Sequence, residues 1–281
     1  RLLIALTAGV CAVVAAAPSS AAVISASATA SGCLMNPDQN SEFRASGTAY
    51  ATAYCTANTP FVTRDVSAGA SSSFGKSGVS ARYESTGQNA GLSSARAEVD
   101  DFLTVTTSSG GGILRFEIRI DGNLSIATGF SLNGQHGAKI SYAFSANGTG
   151  HSYNSTLQWN GNFVSNPFSD TAMVDETLIV DVPFISGVGF NLASDFLATA
   201  DCTTSVLSCV ADSSFSSSAT LLPTQVFDSG MNLLTDAVIV SDSGFDYAVG
   251  FVAEVVEPTA LGLFGLGLAG LGLAARRRKT A

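Results

Sequence analysis

The side chains that could carry out acid–base chemistry in this chain are few. Its 281 residues include two histidines, His136 and His151. A Ser-His-Asp triad needs one histidine as base, and the α/β-hydrolase version places its serine in a Gly-x-Ser-x-Gly turn. The segment Gly-Phe-Ser-Leu-Asn-Gly at 129–134 misses that spacing by one residue. Both histidines lie beside glycine and asparagine, so we predict exposed loop residues without a catalytic role.

Paired carboxylates are the second chemistry to consider, because glycoside hydrolysis uses two carboxyl groups about 5–9.5 Å apart. Glu117 alternates with two arginines, which favours a charge ladder on the polar face of a strand. The adjacent acids Asp100 and Asp101, and likewise Asp175 and Glu176, are expected in turns. We therefore expect no catalytic residues and no enzyme. The alternative is a secreted hydrolase or lyase that acts on a polysaccharide.

Sugar binding without catalysis is a further candidate activity. Trp159 is the single tryptophan, and Tyr153 and Asn160 lie close to it in sequence. Aromatic rings can stack on sugar faces while amide side chains bind hydroxyl groups. The three residues form our predicted glycan-binding site. The alternative is that Trp159 packs at the rim of the core.

Alternating polar and apolar residues dominate the elements that must position these side chains. Residues 112–121 alternate clearly, as in a half-buried strand. Asp121-Gly122-Asn123 is a predicted turn that returns into a strand at 124–132. Residues 138–146 and 152–159 form a second predicted pair, joined by Asn147-Gly148-Thr149-Gly150.

Further predicted strands cover most of the remaining chain, at 43–54, 62–74, 95–107, 176–183, 187–197, 215–222, 237–241 and 245–252. Residues 187–200 could instead form a short helix. The Ser/Gly-rich stretch 67–93 is a possible flexible loop, and 23–42 a surface arm. Ten to twelve strands without alternating helices predict an all-β fold, an antiparallel β-sandwich with jelly-roll-like topology.

Charge is distributed unevenly along the chain, whose formal net charge is −9. From residue 140 to 275 there are thirteen acidic residues and no lysine or arginine. Such a chain cannot neutralise phosphates, so nucleic acid is not an expected partner. We expect a solvated acidic surface. The alternative is a Ca²⁺ site built from carboxylates; no other metal or cofactor is expected.

The C-terminal residues form a three-part pattern. Glu257-Pro258 precedes sixteen residues of Ala, Leu, Gly and Phe at 260–275, and Arg276, Arg277, Arg278 and Lys279 follow. As a helix, these sixteen residues would span about 24 Å, less than the roughly 30 Å hydrocarbon core of a membrane. The basic cluster should stay on the cytoplasmic side. We predict a short transmembrane helix that pauses in the membrane.

This pattern resembles the PEP-CTERM sorting domain of Gram-negative bacteria. Val256, Glu257 and Pro258 stand at the Pro-Glu-Pro cue, with valine in place of the first proline, and the basic cluster matches the terminal arginines. The resemblance implies export, processing by a membrane exosortase, and release to or attachment at the cell surface. Proteins of this type often accompany exopolysaccharide production.

The N-terminal residues predict a secretory signal peptide. An apolar run at 2–17 follows Arg1, and Ser20-Ala21-Ala22 offers a small-x-small cleavage site. We predict cleavage after Ala22 by signal peptidase, following export through the Sec translocon. The alternative is a permanent N-terminal anchor.

The cysteines agree with an exported chain. Cys11 lies in the predicted signal peptide, which leaves four: Cys33, Cys55, Cys202 and Cys209. An even number in an exported protein predicts disulfides. Three pairings are possible, and we favour Cys33–Cys55 and Cys202–Cys209 because each pair brackets a turn-rich segment. A zinc site made by four thiolates is disfavoured because Cys-x-x-Cys spacing is absent.

These expectations divide the chain into a signal peptide (1–22), a β-sandwich domain (23–254) and a sorting segment (255–281). The predicted function is that of an exported protein at the cell surface or outside the cell, anchored transiently in the inner membrane. We expect a non-enzymatic structural or glycan-associated component of the envelope or biofilm matrix, with extracellular polysaccharide as a possible partner.

Overall fold

The structure is a computed structural model that describes residues 22–31, 38–59, 62–87, 90–129, 131–164, 168–202, 208–214 and 219–250. Within the strands, the side chains of residues 59, 131–134, 160–164 and 214 lie outside this description. The predicted signal peptide up to residue 21, Cys33 and the sorting segment 255–281 also lie outside it. No helix in the described ranges is long and apolar enough to span a membrane.

The described residues form strands joined by turns and irregular segments. In chain order the strands are β1 (Val23–Ser31), β2 (Asp38–Arg44), β3 (Thr48–Thr59), β4 (Val62–Ser73), β5 (Lys76–Thr86), β6 (Gly91–Thr106), β7 (Gly111–Thr128), β8 (Ser131–Ala146), β9 (Thr149–Val164), β10 (Phe168–Ile185), β11 (Gly189–Cys202), β12 (Ser208–Ser214), β13 (Ala219–Leu221), β14 (Gln225–Phe227) and β15 (Val238–Ser241).

Two antiparallel sheets are formed by these strands. The first sheet has the order β2-β1-β6-β11-β8-β9, with β15 also paired to β6. The second has the order β10-β7-β12-β5-β4-β3, with β13 and β14 paired to β7. Apolar side chains of both sheets form one buried cluster between them. The predicted all-β antiparallel sandwich is therefore confirmed.

The chain folds back on itself at the β8–β9 hairpin. The three strands before the hairpin pair with the three after it: β7 with β10, β6 with β11 and β5 with β12. These pairs alternate between the two sheets. A ribbon of paired strands wrapped in this way is a jelly roll. Strands β1 and β2 extend the first sheet beside β6, and β3 and β4 extend the second beside β5.

The hairpin turn agrees with the sequence prediction. Ala146 faces Thr149, so the turn itself consists of Asn147 and Gly148. Both have positive φ, 47° and 76°, which two-residue hairpin turns that match the twist of the strands require. Asparagine and glycine adopt this conformation at little cost.

Several local predictions were wrong. Strand β7 continues through Asp121-Gly122-Asn123 without a turn, because β10 pairs along its whole length. Residues 67–93, interpreted as a flexible loop, contribute to three strands. At 189–202 the structure has strand β11, which confirms the strand predicted there over the alternative helix. Residues 23–31 form β1, whose inward side chains are buried, rather than a surface arm. Residues 245–250 form an irregular segment with one turn, not the strand predicted at 245–252, whose last two residues lie outside the described ranges.

The acidic half of the chain lies against the half that carries the arginines. Strand pairing across the ribbon joins Arg115 to Asp181 at 2.7 Å and Arg82 to Asp212 at 3.2 Å. Two further pairs are Arg119–Asp175 and Arg96–Asp195. These pairs are partly exposed and each contributes little stability. The predicted ladder around Glu117 is present, and its arginines bind acids of β10.

Candidate functional site

The segment that leads toward the C-terminus is fixed to the domain by one buried carboxylate. Asp101 faces inward from β6 and is 2% exposed. Its carboxylate accepts hydrogen bonds from Ser243 N (3.1 Å), Ser243 Oγ (2.5 Å), Tyr247 Oη (2.9 Å) and Phe102 N (2.8 Å). We call residues 241–250 the exit segment. Three of the four donors belong to it, so Asp101 is its main polar attachment.

Aromatic packing holds the same segment. Tyr247 is 1% exposed, and its ring contacts Phe116 edge to face at 6.3 Å and Phe245 at 4.9 Å. The Phe245 ring covers Gly75, where a side chain would overlap it. Burial raises the pKa of Tyr247, and the negative charge of Asp101 acts in the same direction. The phenol therefore remains protonated and keeps donating to the carboxylate.

The exit segment leads almost directly into the predicted sorting cue. Glu257 is the seventh residue after Gly250, and a fully extended chain of that length spans at most about 25 Å. Any enzyme that acts on the cue must therefore work close to this end of the sandwich. Residues 255–279 match the PEP-CTERM protein-sorting motif.

The chain carries a PEP-CTERM sorting motif. The match covers the predicted cue at 256–258 and the basic cluster at 276–279. This motif indicates an exported protein that is directed to the cell surface, and it implies exosortase processing and a membrane-anchored C-terminus. No curated protein matched the chain, and no solved structure matched it.

A second cluster lies at the other end of the sandwich, where Cys202 of β11 and Cys209 of β12 form a disulfide. This bond joins the two sheets and is one of the two predicted pairs. Cys55 is also disulfide-bonded, and its predicted partner Cys33 lies outside the described residues. His136 Nδ1 lies 3.4 Å from the Cys209 sulfur.

His136 is not the exposed loop residue that the sequence predicted. It lies in β8, is 1% exposed, and faces inward in the same phase as Ala138 and Ile140. Its ring is parallel to that of Trp159 at 5.1 Å. His151 is exposed, as expected, but lies in β9 rather than in a loop.

The predicted glycan-binding residues lie along β9, an edge strand of the first sheet. Trp159 stacks on His136 and lies 6.5 Å from Phe168, so one face of its ring is used for packing. Tyr153 also packs against the core. The side chain of Asn160 lies outside the described residues. Sugar binding by these residues stays a prediction. Because one face of the Trp159 ring is already packed, less aromatic surface is free for a sugar than the prediction assumed.

Exposed aromatic residues occur instead on β3, an edge strand of the second sheet. Tyr50 and Tyr54 are 62% and 56% exposed on its outer face, about 13 Å apart along the strand. Small residues of β4 lie beside them. The backbone amides of the same two tyrosines donate to the carboxylates of Glu42 and Asp38 of β2, at 2.6 and 3.0 Å. Sequence reasoning missed this surface, although tyrosines four apart between alternating alanines could have indicated it.

Acidic residues considered for catalysis lie within strands, not in turns. Asp100 and Asp101 are in β6, and Asp175 and Glu176 are in β10. In the described part of the chain, one group of three His, Cys, Asp or Glu side chains is close enough to share an ion: His136, Cys202 and Cys209. Its two cysteines are bonded to each other. The predicted Ca²⁺ site stays a prediction.

The stability of the domain should depend on pH through His136. Burial lowers the pKa of His136, because the charged ring loses its hydration. The neutral, buried ring of His136 therefore contributes fully to the free energy of unfolding above the pKa of about 6.5 that histidine has in the unfolded chain. As pH falls below that value, this contribution is lost by at most about 1.4 kcal/mol per pH unit. Urea unfolding between pH 7 and 5 should show a weaker dependence for His136→Phe. His151→Gln should match wild type; parallel profiles for all three would exclude His136 as the source.

Removing the Cys202–Cys209 bridge should destabilise the domain moderately. The bridge joins cysteines seven residues apart, and the loop-entropy relation gives such a loop about 2.4 kcal/mol. The Cys202→Ser/Cys209→Ser variant, measured by urea unfolding under oxidising conditions, should lose about that free energy of unfolding. Thr177→Ala, at an exposed position of β10, should stay within about 0.5 kcal/mol of wild type. An unchanged midpoint for the double variant would contradict the assignment.

Proposed function

We propose that this chain is a non-enzymatic surface or extracellular protein, a structural or glycan-associated component of the envelope or biofilm matrix. It is exported through the Sec translocon, cut after Ala22 by signal peptidase, and processed near Val256, Glu257 and Pro258 by an exosortase. One observation carries the proposal: a PEP-CTERM motif at 255–279 follows closely on a β-sandwich. Strand β1 begins at Val23, directly after the expected cleavage site.

Terminal-peptide and intact-mass analysis tests the processing. The protein is recovered from the surface, membrane and medium fractions of its own host, with and without the exosortase. We expect a mature chain from about Val23 to the 256–258 cue in surface or medium fractions, and an uncut C-terminus in membranes of the exosortase-deficient strain. An intact tail in both strains would reduce the sorting segment to a membrane anchor.

Polysaccharide pull-down tests the glycan contact. Two surfaces compete, the exposed tyrosines of β3 and the partly buried Trp159 of β9. We expect retention on the host's exopolysaccharide to fall for Tyr50→Ala/Tyr54→Ala more than for Trp159→Ala. Met173→Ala, which removes an apolar side chain that is 89% exposed, is the matched control. Equal retention of all folded variants would contradict a role for aromatic stacking.

An assay for new reducing ends on the same polysaccharide separates binding from hydrolysis. Retention without release of reducing ends supports the non-enzymatic role. Release that one aspartate or glutamate substitution abolishes would instead support the polysaccharide-acting enzyme.

A further inference from the structure

A row of buried polar side chains closes the end of the sandwich opposite to the exit segment. In the second sheet, register places Arg64 of β4 opposite Ser85 of β5, and Ser85 opposite Cys209 of β12. All three face inward and are buried. Gly91, which faces the same end on β6, is ten residues from Asp101, or about 33 Å along the strand.

Arg64 is a buried cation without a carboxylate partner among the residues that the structure describes. Its side chain is 5% exposed, and its Nε has no hydrogen-bond partner. No carboxylate of the described residues forms an ion pair with it; the seven ion pairs there belong to other arginines. The neighbouring Asp65 and Glu84 project from the opposite face of the sheet. Burial of an unpaired charge is costly, so this position needs an explanation.

Two buried hydroxyl groups of β5, those of Tyr83 and Ser85, lie near the guanidinium and interact with each other. Ser85 Oγ and Tyr83 Oη are buried, and neither has a hydrogen-bond partner in good geometry. The Tyr83 ring crosses to the first sheet, where it covers Gly91. Burial raises the pKa of Tyr83, while the nearby charge of Arg64 opposes this shift. The phenol is therefore protonated and can donate.

Donors outnumber acceptors among these side chains. Arginine donates and cannot accept, whereas serine and tyrosine hydroxyls can both donate and accept. The segments that connect strands at this end, at 32–37, 60–61, 88–89 and 203–207, contain no aspartate or glutamate. The chain therefore places no carboxylate of its own in these connections. A negatively charged acceptor would receive hydrogen bonds from all three side chains and would neutralise the guanidinium.

We propose that Arg64, Tyr83 and Ser85 form a binding site for one oxyanion, a carboxylate or sulfate group. The planar guanidinium binds such groups through two parallel hydrogen bonds, and the two hydroxyls complete the set. The site lies at the end of the sandwich remote from the exit segment. It does not depend on the proposed glycan contact on β3.

Thermal unfolding of the full chain in detergent tests the site, with acetate or sulfate exchanged for chloride at constant ionic strength. The wild-type melting temperature should rise saturably, by about 5–10 °C at one hundred times the Kd. Arg64→Met should lose this response. Without oxyanion it should melt at or above the wild-type temperature, because the substitution removes a buried unpaired charge.

Arg119→Met, which removes an exposed arginine, is the matched control and should keep the full response. Equal responses of wild type and Arg64→Met would overturn the proposal, since they would show a general salt effect. Where Arg64→Met does not fold, calorimetric titration of wild type and Ser85→Ala with sulfate replaces it. Absence of saturable binding to wild type would then overturn the site, and weaker binding to Ser85→Ala would support it.

The source of the oxyanion is separated by two further probes. Monomeric galacturonate and polygalacturonate are compared at equal carboxylate concentration. A shift with both indicates a site open to acidic polysaccharide. A shift with the monomer and with acetate, but not with the polymer, indicates a free small anion.

Discussion

Asp101→Ala is expected to lower the free energy of unfolding by about 3–5 kcal/mol. The substitution leaves the Ser243 and Tyr247 donors without their acceptor. A buried donor without a partner costs about 1–3 kcal/mol. The separate losses do not add fully, because a released exit segment can bind water instead. The melting temperature should fall by about 10 °C.

Urea unfolding and limited proteolysis measure this effect together. Asp101→Ala should become sensitive to proteases within 241–250, before the strands of the sandwich are cut. Asp100→Ala is the matched control: its side chain is exposed on the outer face and should change stability by less than about 0.5 kcal/mol. Tyr247→Phe, which removes one hydrogen bond, should lie between them. Equal stability of the Asp100 and Asp101 variants would exclude the carboxylate as the attachment of the exit segment.

Features encoded by neighbouring residues could be predicted from the sequence. The Asn147-Gly148 turn is one, since two adjacent positive φ values select those residues. The sorting motif is another, because its cue, apolar run and basic cluster are contiguous. The alternation at 112–121 correctly predicted a half-buried strand, within what is now β7.

Strands built from small residues were harder to predict. In β3, Ala49, Ala51 and Ala53 are buried while Tyr50 and Tyr54 are exposed. Alanine and serine differ little in hydrophobicity. The alternation of buried and exposed positions at 67–93 therefore gave no clear polar–apolar pattern, and the sequence was interpreted as a flexible loop. Burial of alanine here reflects sheets that lie close together. Ser93 Oγ of the first sheet donates to Ser67 O of the second at 2.5 Å.

Buried polar residues gave a signal that the sequence reasoning did not use. Asp101 lies in phase with Val99, Leu103 and Val105, all buried. An acid in the apolar phase of a strand indicates an inward carboxylate with donors nearby. Its donors are more than 140 residues away in sequence, so their identity depends on the topology. The jelly-roll pairing that brings them together is likewise non-local.

Neutralising the basic cluster is expected to abolish C-terminal processing. The apolar run at 260–275 would span about 24 Å as a helix, less than the roughly 30 Å membrane core. Its retention therefore depends on the cations after it, each of which costs about 2.5–3.5 kcal/mol at the membrane centre. Replacing Arg276, Arg277, Arg278 and Lys279 by serine removes this barrier, so the tail should slip through and escape the exosortase.

Intact-mass analysis of membrane, surface and medium fractions measures the outcome. The serine variant should be exported with residues 260–281 uncut, whereas wild type should end near the 256–258 cue. A variant with lysine at 276–278 keeps the charge and should be processed like wild type. Normal trimming of the serine variant would contradict retention by charge. Lysine and arginine carry the same charge, so both should retain the tail in the membrane equally well. If the lysine variant is not processed, the processing enzyme must recognise the guanidinium groups themselves.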